Sequence, residues 1–204
     1  GSATCRAGTF YTLPRRDQMN RIATLVTAAL LPTVVAAQQA PIVDPASSTE
    51  TKLQVLLDRE EIRQVITNYG LAFDMQDWEL HRSVFTDEIQ MDFTASLGGG
   101  LQTMAADDWV SAVKPFFANL EGTQHIAMPL TITIDGNSAY VRSMLHAQHH
   151  LQNAKGAPVQ TMIGYYDNWL VHTDDDWKIT KIVQTITWNE GNWYIIEKAA
   201  GLSE

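Results

Sequence analysis

The chain reads as an α+β domain with helices first and a long antiparallel sheet after them. Two textures and their order predict this. Apolar residues at three- and four-residue steps (Leu53, Leu56, Leu57, Ile62, Val65, Ile66, Tyr69, Phe73) have the period of an amphipathic helix. Further on, strand-like runs are joined by tight turns, one at Asp135-Gly136 and an acidic one at Asp174 to Asp176. Helices followed by strands predict a strongly bent sheet that closes over the helices and leaves a pocket between them.

The fold does not start at residue 1. From Met19 the chain runs MNRIATLVTAALLPTVVAAQQ, with Arg21 as a short positive region, an apolar stretch from Ile22, and small residues before Gln38. That is the grammar of a secretory signal peptide. Its apolar run of about 16 residues, broken by Pro32, falls short of the roughly 20 needed to span a bilayer. Residues 1–37 are therefore expected to be a leader whose first 18 residues resemble a tag or a mis-assigned leader. Residues 38–50 read as a Pro/Ser/Thr-rich linker, and residues 51–204 as one domain of a secreted or periplasmic protein, free of the membrane after processing. The only cysteine, Cys5, lies in the leader, so a mature chain has no thiol nucleophile and no thiolate metal ligand. A formal charge of −9 leaves no basic stripe for nucleic acid and points to a small-molecule partner.

Within the domain, the helical pattern runs from about Thr51 to Phe73, with a break expected at Asp58 to Glu61. Asp77 is placed to cap a further helix, DWELHRSVF, that turns Trp78 and Val84 or Phe85 inward. Asp74 is left near a helix end. IQMDF alternates as a short strand, Gly98 to Gly100 form a loop, and AADDWVSAVKPFFANLEG reads as a helix stopped by Gly122. The two strand pairs follow, PLTITIDGNSAYVRSMLHAQHHL and then VQTMIGYYDNWLVH with DWKITKIVQTITW.

The chemistry centres on Asp74, His125 and His146. An imidazole held by a carboxylate is a general base near neutral pH, because the carboxylate fixes the tautomer and stabilises the imidazolium. Each residue also has a plainer reading: Asp74 as a helix cap, His125 as a solvated loop residue, His146 as a core residue sharing a strand face with Arg142, Met144 and Gln148. In HAQHH only His146 and His150 share a face, with no carboxylate at a matching place, so no metal site is expected. His149 and His150 are expected to be exposed or interfacial.

LDREEIRQVITNYGLAFDMQDWELHRSVFTDEIQMDF, then TQH, a His-bearing strand, GYYDNWLVH and DDDWKITKI together resemble the SnoaL-like group of the nuclear-transport-factor-two superfamily, over about Leu53 to Trp188. The pattern is most similar to scytalone dehydratase and its relatives. The resemblance implies a cone-shaped α+β barrel with a deep apolar pocket, no cofactor and association as a homodimer or homotrimer. It implies Asp74 and His125 as the acid–base pair and His146 as the second histidine. The two tyrosines that hold a water in scytalone dehydratase fall on Phe73 and Phe93, and its later Ser and Asn on Gly164 and Tyr166. Tyr166 becomes the candidate phenolic donor, and Tyr69, Phe73, Phe93, Met144 and Trp188 become candidate substrate contacts.

The expected activity is that of a cofactor-independent lyase, a dehydratase acting on a small hydroxylated, aromatic or polycyclic substrate. The same groups suit a formaldehyde-releasing retro-aldol lyase or an isomerase or cyclase. An epoxide-hydrolase arrangement would use Arg142 but lacks evident Asp partners. A non-catalytic binding protein is the remaining alternative.

Overall fold

The computed structural model describes residues 43–174 and 176–202. The expected leader and most of the expected linker lie outside the described residues.

Helix α1 (Thr49–Met75) is capped by Ser48, whose hydroxyl accepts the Thr51 N–H at 3.1 Å. It runs unbroken for 27 residues, so the expected break at Asp58 to Glu61 does not occur. Arg59, Glu60 and Glu61 are good helix formers and need only a solvent-facing side. The inward stripe begins late: Ile62, Ile66, Tyr69 and Phe73 are buried, whereas Leu53, Leu56 and Leu57 are exposed. Gln76 ends the helix in the left-handed region at φ 52°, returning its N–H to the Ala72 and Phe73 carbonyls. Asp77 then caps α2 (Trp78–Ser83), accepting the Leu80 N–H at 2.9 Å. Capping falls to Asp77, and Asp74 keeps its oxygens for other partners.

The remaining elements are β1 (Phe85–Asp92), α3 (Thr94–Leu97), β2 (Gln102–Ala105), α4 (Ala106–Ala118), β3 (Gly122–Ile126), β4 (Pro129–Asp135), β5 (Ser138–His150), β6 (Val159–His172), β7 (Trp177–Gly191) and α5 (Tyr194–Ala199). They give an α+β fold whose curved, unclosed sheet has the order β2-β1-β7-β6-β5-β3, with β4 also paired to β5. Every pairing is antiparallel except β1 with β7. The α4 helix stops at Ala118 rather than at Gly122, which instead opens β3. That shift carries His125 out of the expected loop and onto a strand.

The long strand β5 organises the cavity side. One half of it pairs with β4 (Ser138 opposite Asp135) and the other with β3 (His149 opposite Thr123). Side chains alternate across a sheet, so Val141, Ser143, Leu145, Ala147 and His149 form one row, all buried. Bulges between β6 and β7 at Ile163/Gly164 and Trp169/Leu170 sharpen the bend. At Gly164 a Cβ would stand 1.9 Å from the Thr185 carbonyl oxygen, so only glycine permits the two backbones to approach there. No helix among the described residues is long and apolar enough to cross a membrane.

Candidate active site

Asp74 sits in the last turn of α1, and β3 is laid against that turn because Gly70 leaves room for it. A Cβ on Gly70 would be 3.3 Å from both the Cβ and the carbonyl oxygen of His125. Three bonds then converge on the carboxylate: His125 Nδ1 lies 2.7 Å from Oδ1, the His125 backbone N–H donates to Oδ2 at 2.8 Å, and the Thr123 hydroxyl donates to Oδ1 at 2.9 Å. Burial alone would raise the Asp74 carboxyl, but the bonds from His125 and Thr123 outweigh it and hold the group below its ordinary value. An ionised Asp74 is acceptor-only, so Nδ1 of His125 carries the proton and Nε2 is the ring nitrogen left for the cavity that His125 lines.

The second imidazole is His149. Its ring stands edge-on to that of His125, with centroids 5.5 Å apart, and its Nδ1 is 3.0 Å from Gln160 Oε1 on β6. Burial, followed by the nearby His125, pushes its pKa down to about 3. His149 is therefore neutral across the physiological range, with Nδ1–H donated to Gln160. A third histidine, His81 of α2, supports the site from behind. The Trp109 indole donates to its Nε2 at 3.2 Å, its ring centroid lies 4.1 Å from that of Phe73, and burial pushes its pKa down to about 3 against a weaker opposing pull from the Tyr69 backbone.

His125 and His149 border a cavity of about 440 Å³. Tyr69, Phe73, Phe93 and Tyr166, all expected at the site, line it, as do Trp109 and Met162. Phe73 and His125 are 5.2 Å apart between ring centroids. A small apolar or aromatic molecule suits such a wall, with orientation left to a few polar groups.

Three expectations need correction. His146 does not reach the cavity: it shares the outer face of β5 with Arg142 and Met144, and strand alternation puts His149, three residues on, inside. Met144 is excluded by the same alternation. Trp188, on the far end of β7, is 55% exposed and lies away from the cavity lining. Arg142 is outside too, with a two-pronged ion pair to Asp167 (2.7 and 2.9 Å), so it takes no part in a water-activating constellation. His150 pairs with Glu121 at 3.2 Å. Of groups that could hold a metal, the described residues bring Asp58, Glu61 and His172 within 4.8 Å of one another, and none of these lines the cavity.

The chain matches the model of the SnoaL-like domain over residues 54–183. The uncharacterised protein Rv2910c of Mycobacterium tuberculosis is 25% identical over 128 residues, covering 63% of this chain and 84% of that one. Among solved structures, Kfla4162 from Kribbella flavida superposes with a TM-score of 0.67 at 27% identity, covering 70% of this chain and 98% of that one. A candidate scytalone dehydratase from Novosphingobium aromaticivorans gives 0.58 at 21% identity, covering 70% and 91% of the respective chains. A type 2 hexachlorocyclohexane dehydrochlorinase gives 0.57 at 15%, covering 68% and 91%, and these last two show a shared fold. The helices seated in a curved sheet, the apolar cavity and the match across most of the domain lead to one assignment: the chain belongs to the SnoaL-like family, with the nuclear-transport-factor-two-like fold.

Proposed function

We propose that the protein is a cofactor-independent lyase, most simply a dehydratase, in which Asp74 and His125 form the general base. The observation that carries this reading is the 2.7 Å contact between Asp74 Oδ1 and His125 Nδ1 at the wall of an apolar cavity. Held this way, His125 Nε2 takes a proton from carbon next to a carbonyl, and Asp74 stabilises the imidazolium that forms. The developing charge on oxygen is met by the hydroxyl of Tyr166, which takes the part first expected of His146; neutral His149 spends its one N–H on Gln160 and cannot donate. Loss of the β-hydroxyl as water, with the proton returned from His125, completes an elimination. The names of structural neighbours, among them dehydratases and a dehydrochlorinase, agree with this class of chemistry.

The test is mass spectrometry of residues 43–204 incubated with β-hydroxy ketones and aryl propanediols, beside the His125→Ala variant. Loss of about 18 mass units that disappears in the variant is the expected result for general-base dehydration. Loss of about 30 units would move the assignment to formaldehyde-releasing retro-aldol cleavage by the same base. Turnover undiminished in the variant would refute the base. Export directed by Met19 to Gln38 is part of the same reading, and N-terminal sequencing of the protein recovered from a secreting host checks it.

A further inference from the structure

The outward side of α1 carries apolar residues that stand open to solvent. Leu53, Leu57, Leu71 and Met75 are between 41% and 64% exposed. At about 100° per residue they fall on one line along the helix, opposite the buried stripe of Ile62, Ile66, Tyr69 and Phe73. Between its two apolar ends the line passes through Glu60, Gln64 and Asn68. The order is palindromic: Leu53 lies as far before Gln64 as Met75 lies after it, and Leu57 as far before as Leu71 after. Beside this line β3 and β4 form an edge of the sheet, fastened to the helix by the Arg59 guanidinium, which donates to the Ile132 carbonyl at 2.9 Å. That edge exposes Ile126, Met128 and Leu130. An apolar face of this extent, interleaved with polar residues, marks an association surface.

We infer that this face pairs two copies of the chain through antiparallel α1 helices, with a two-fold axis at Gln64. In a two-fold interface, a position that faces a second is faced by that second in return, and a palindromic strip meets this condition with itself. Leu53 then packs on the partner's Met75, and Leu57 on the partner's Leu71, at both ends of the seam. The polar middle fits as well. Glu60 falls opposite the partner's Asn68 rather than opposite another carboxylate. Gln64 Nε2 donates to Asn68 Oδ1 at 2.7 Å, so the Asn68 amide keeps its NH2 end to donate to the facing carboxylate. Such a polar centre fixes the register that the apolar ends alone would leave loose. The strip is about 33 Å long, and helix and flanking strand together are roughly 16 Å wide, so the two copies bury on the order of 1,100 Å². That lies at the lower end for a specific interface, where reversible pairs are found. The same pairing lays the first turns of the partner's α1 beside Met75, next to Asp74, and braces the turn that holds the carboxylate.

The experiment is sedimentation equilibrium of the whole chain over about 1–200 μM, where a dissociation constant of about 10 μM is expected for the wild type. Leu57→Lys and Leu71→Glu should each weaken the dimer at least about tenfold. The Leu57→Lys/Leu71→Glu double variant should recover most of that loss, because the two positions face each other across the axis and now carry opposite charges. Both residues are exposed, so the fold is expected to survive, as circular dichroism checks. Disulfide trapping in a Cys5→Ser background reads the register directly. Gln64→Cys should join two chains, since helices packed about 8–10 Å apart bring its two Cα atoms to about 5 Å, whereas the two copies of Gln54→Cys lie about 30 Å apart and should stay separate. A monomer across the whole range would overturn the proposal, the apolar run from Ile22 or solvent then covering the face. A dimer that both single variants leave intact would overturn it too, since another face would be holding the copies. A double variant no tighter than the singles, or equal trapping at Gln64 and Gln54, would overturn the antiparallel register and the proposal with it.

Discussion

Acidification to pH 5 should cost this protein much of its stability through two buried histidines. His81 and His149 are held neutral, each with its pKa pushed down to about 3 by burial. In the unfolded chain a histidine titrates near 6.5. Below that value the unfolded state binds protons that the folded state refuses, so stability is complete above pH 6.5 and falls as pH drops toward 3. Between pH 7 and pH 5 each group contributes a loss of about 2 kcal/mol, or about 4 kcal/mol for the pair. Against a typical domain stability of roughly 5–15 kcal/mol, that is a large fraction. The assay is urea denaturation followed by tryptophan fluorescence at both pH values for the wild type, His81→Gln and His149→Gln. Each variant should lose about 2 kcal/mol less than the wild type over this interval. Equal losses in all three proteins would refute the reasoning, because neither histidine would then be the group that resists protonation.

Asp74→Asn removes the charge that fixes the His125 tautomer and should lower kcat by about 10²- to 10⁴-fold, measured by single-turnover mass spectrometry on whichever substrate the panel identifies. Gly164→Ala drives a Cβ into the Thr185 carbonyl at a bulge and should cost more than about 3 kcal/mol or prevent folding, read by thermal denaturation. Gly70→Ala crowds His125 at 3.3 Å, a contact that a small displacement of β3 relieves, so activity should fall more steeply than stability. His146→Ala, on the outer face, should leave turnover within about twofold and stability within about 0.5 kcal/mol of the wild type. A large loss of turnover there would restore the reading that the sequence suggested.

The order of elements was legible because it rests on periodicity: a 3.6-residue stripe along α1 and alternation along β5 and β6 are written directly in the residues. The pairing of Asp74 with His125 was legible through resemblance, since nothing in their separation of 51 positions says that they touch. His149 was misread although its signal was present. Val141, Leu145 and Ala147 form the apolar row of β5, and counting from them in twos reaches His149, whereas His146 keeps company with Arg142 and Gln148. Thr123 and Gln160 could not be found this way, because their importance depends on cross-strand neighbours that only the register supplies. Leu53, Leu56 and Leu57 fit the helix period but start before the sheet does, so period alone gave them a burial they do not have.

The Asp74 carboxylate grips both the ring and the main chain of His125, and Thr123 besides, so it is also the latch that fastens β3 to α1. Its evolutionary meaning is therefore double. A descendant that abandoned proton transfer could replace the imidazole at modest expense, yet replacing the aspartate would unseat a strand. Across relatives of this chain, a retained aspartate at this place is weak evidence of catalysis, and a retained histidine beside it is the stronger witness.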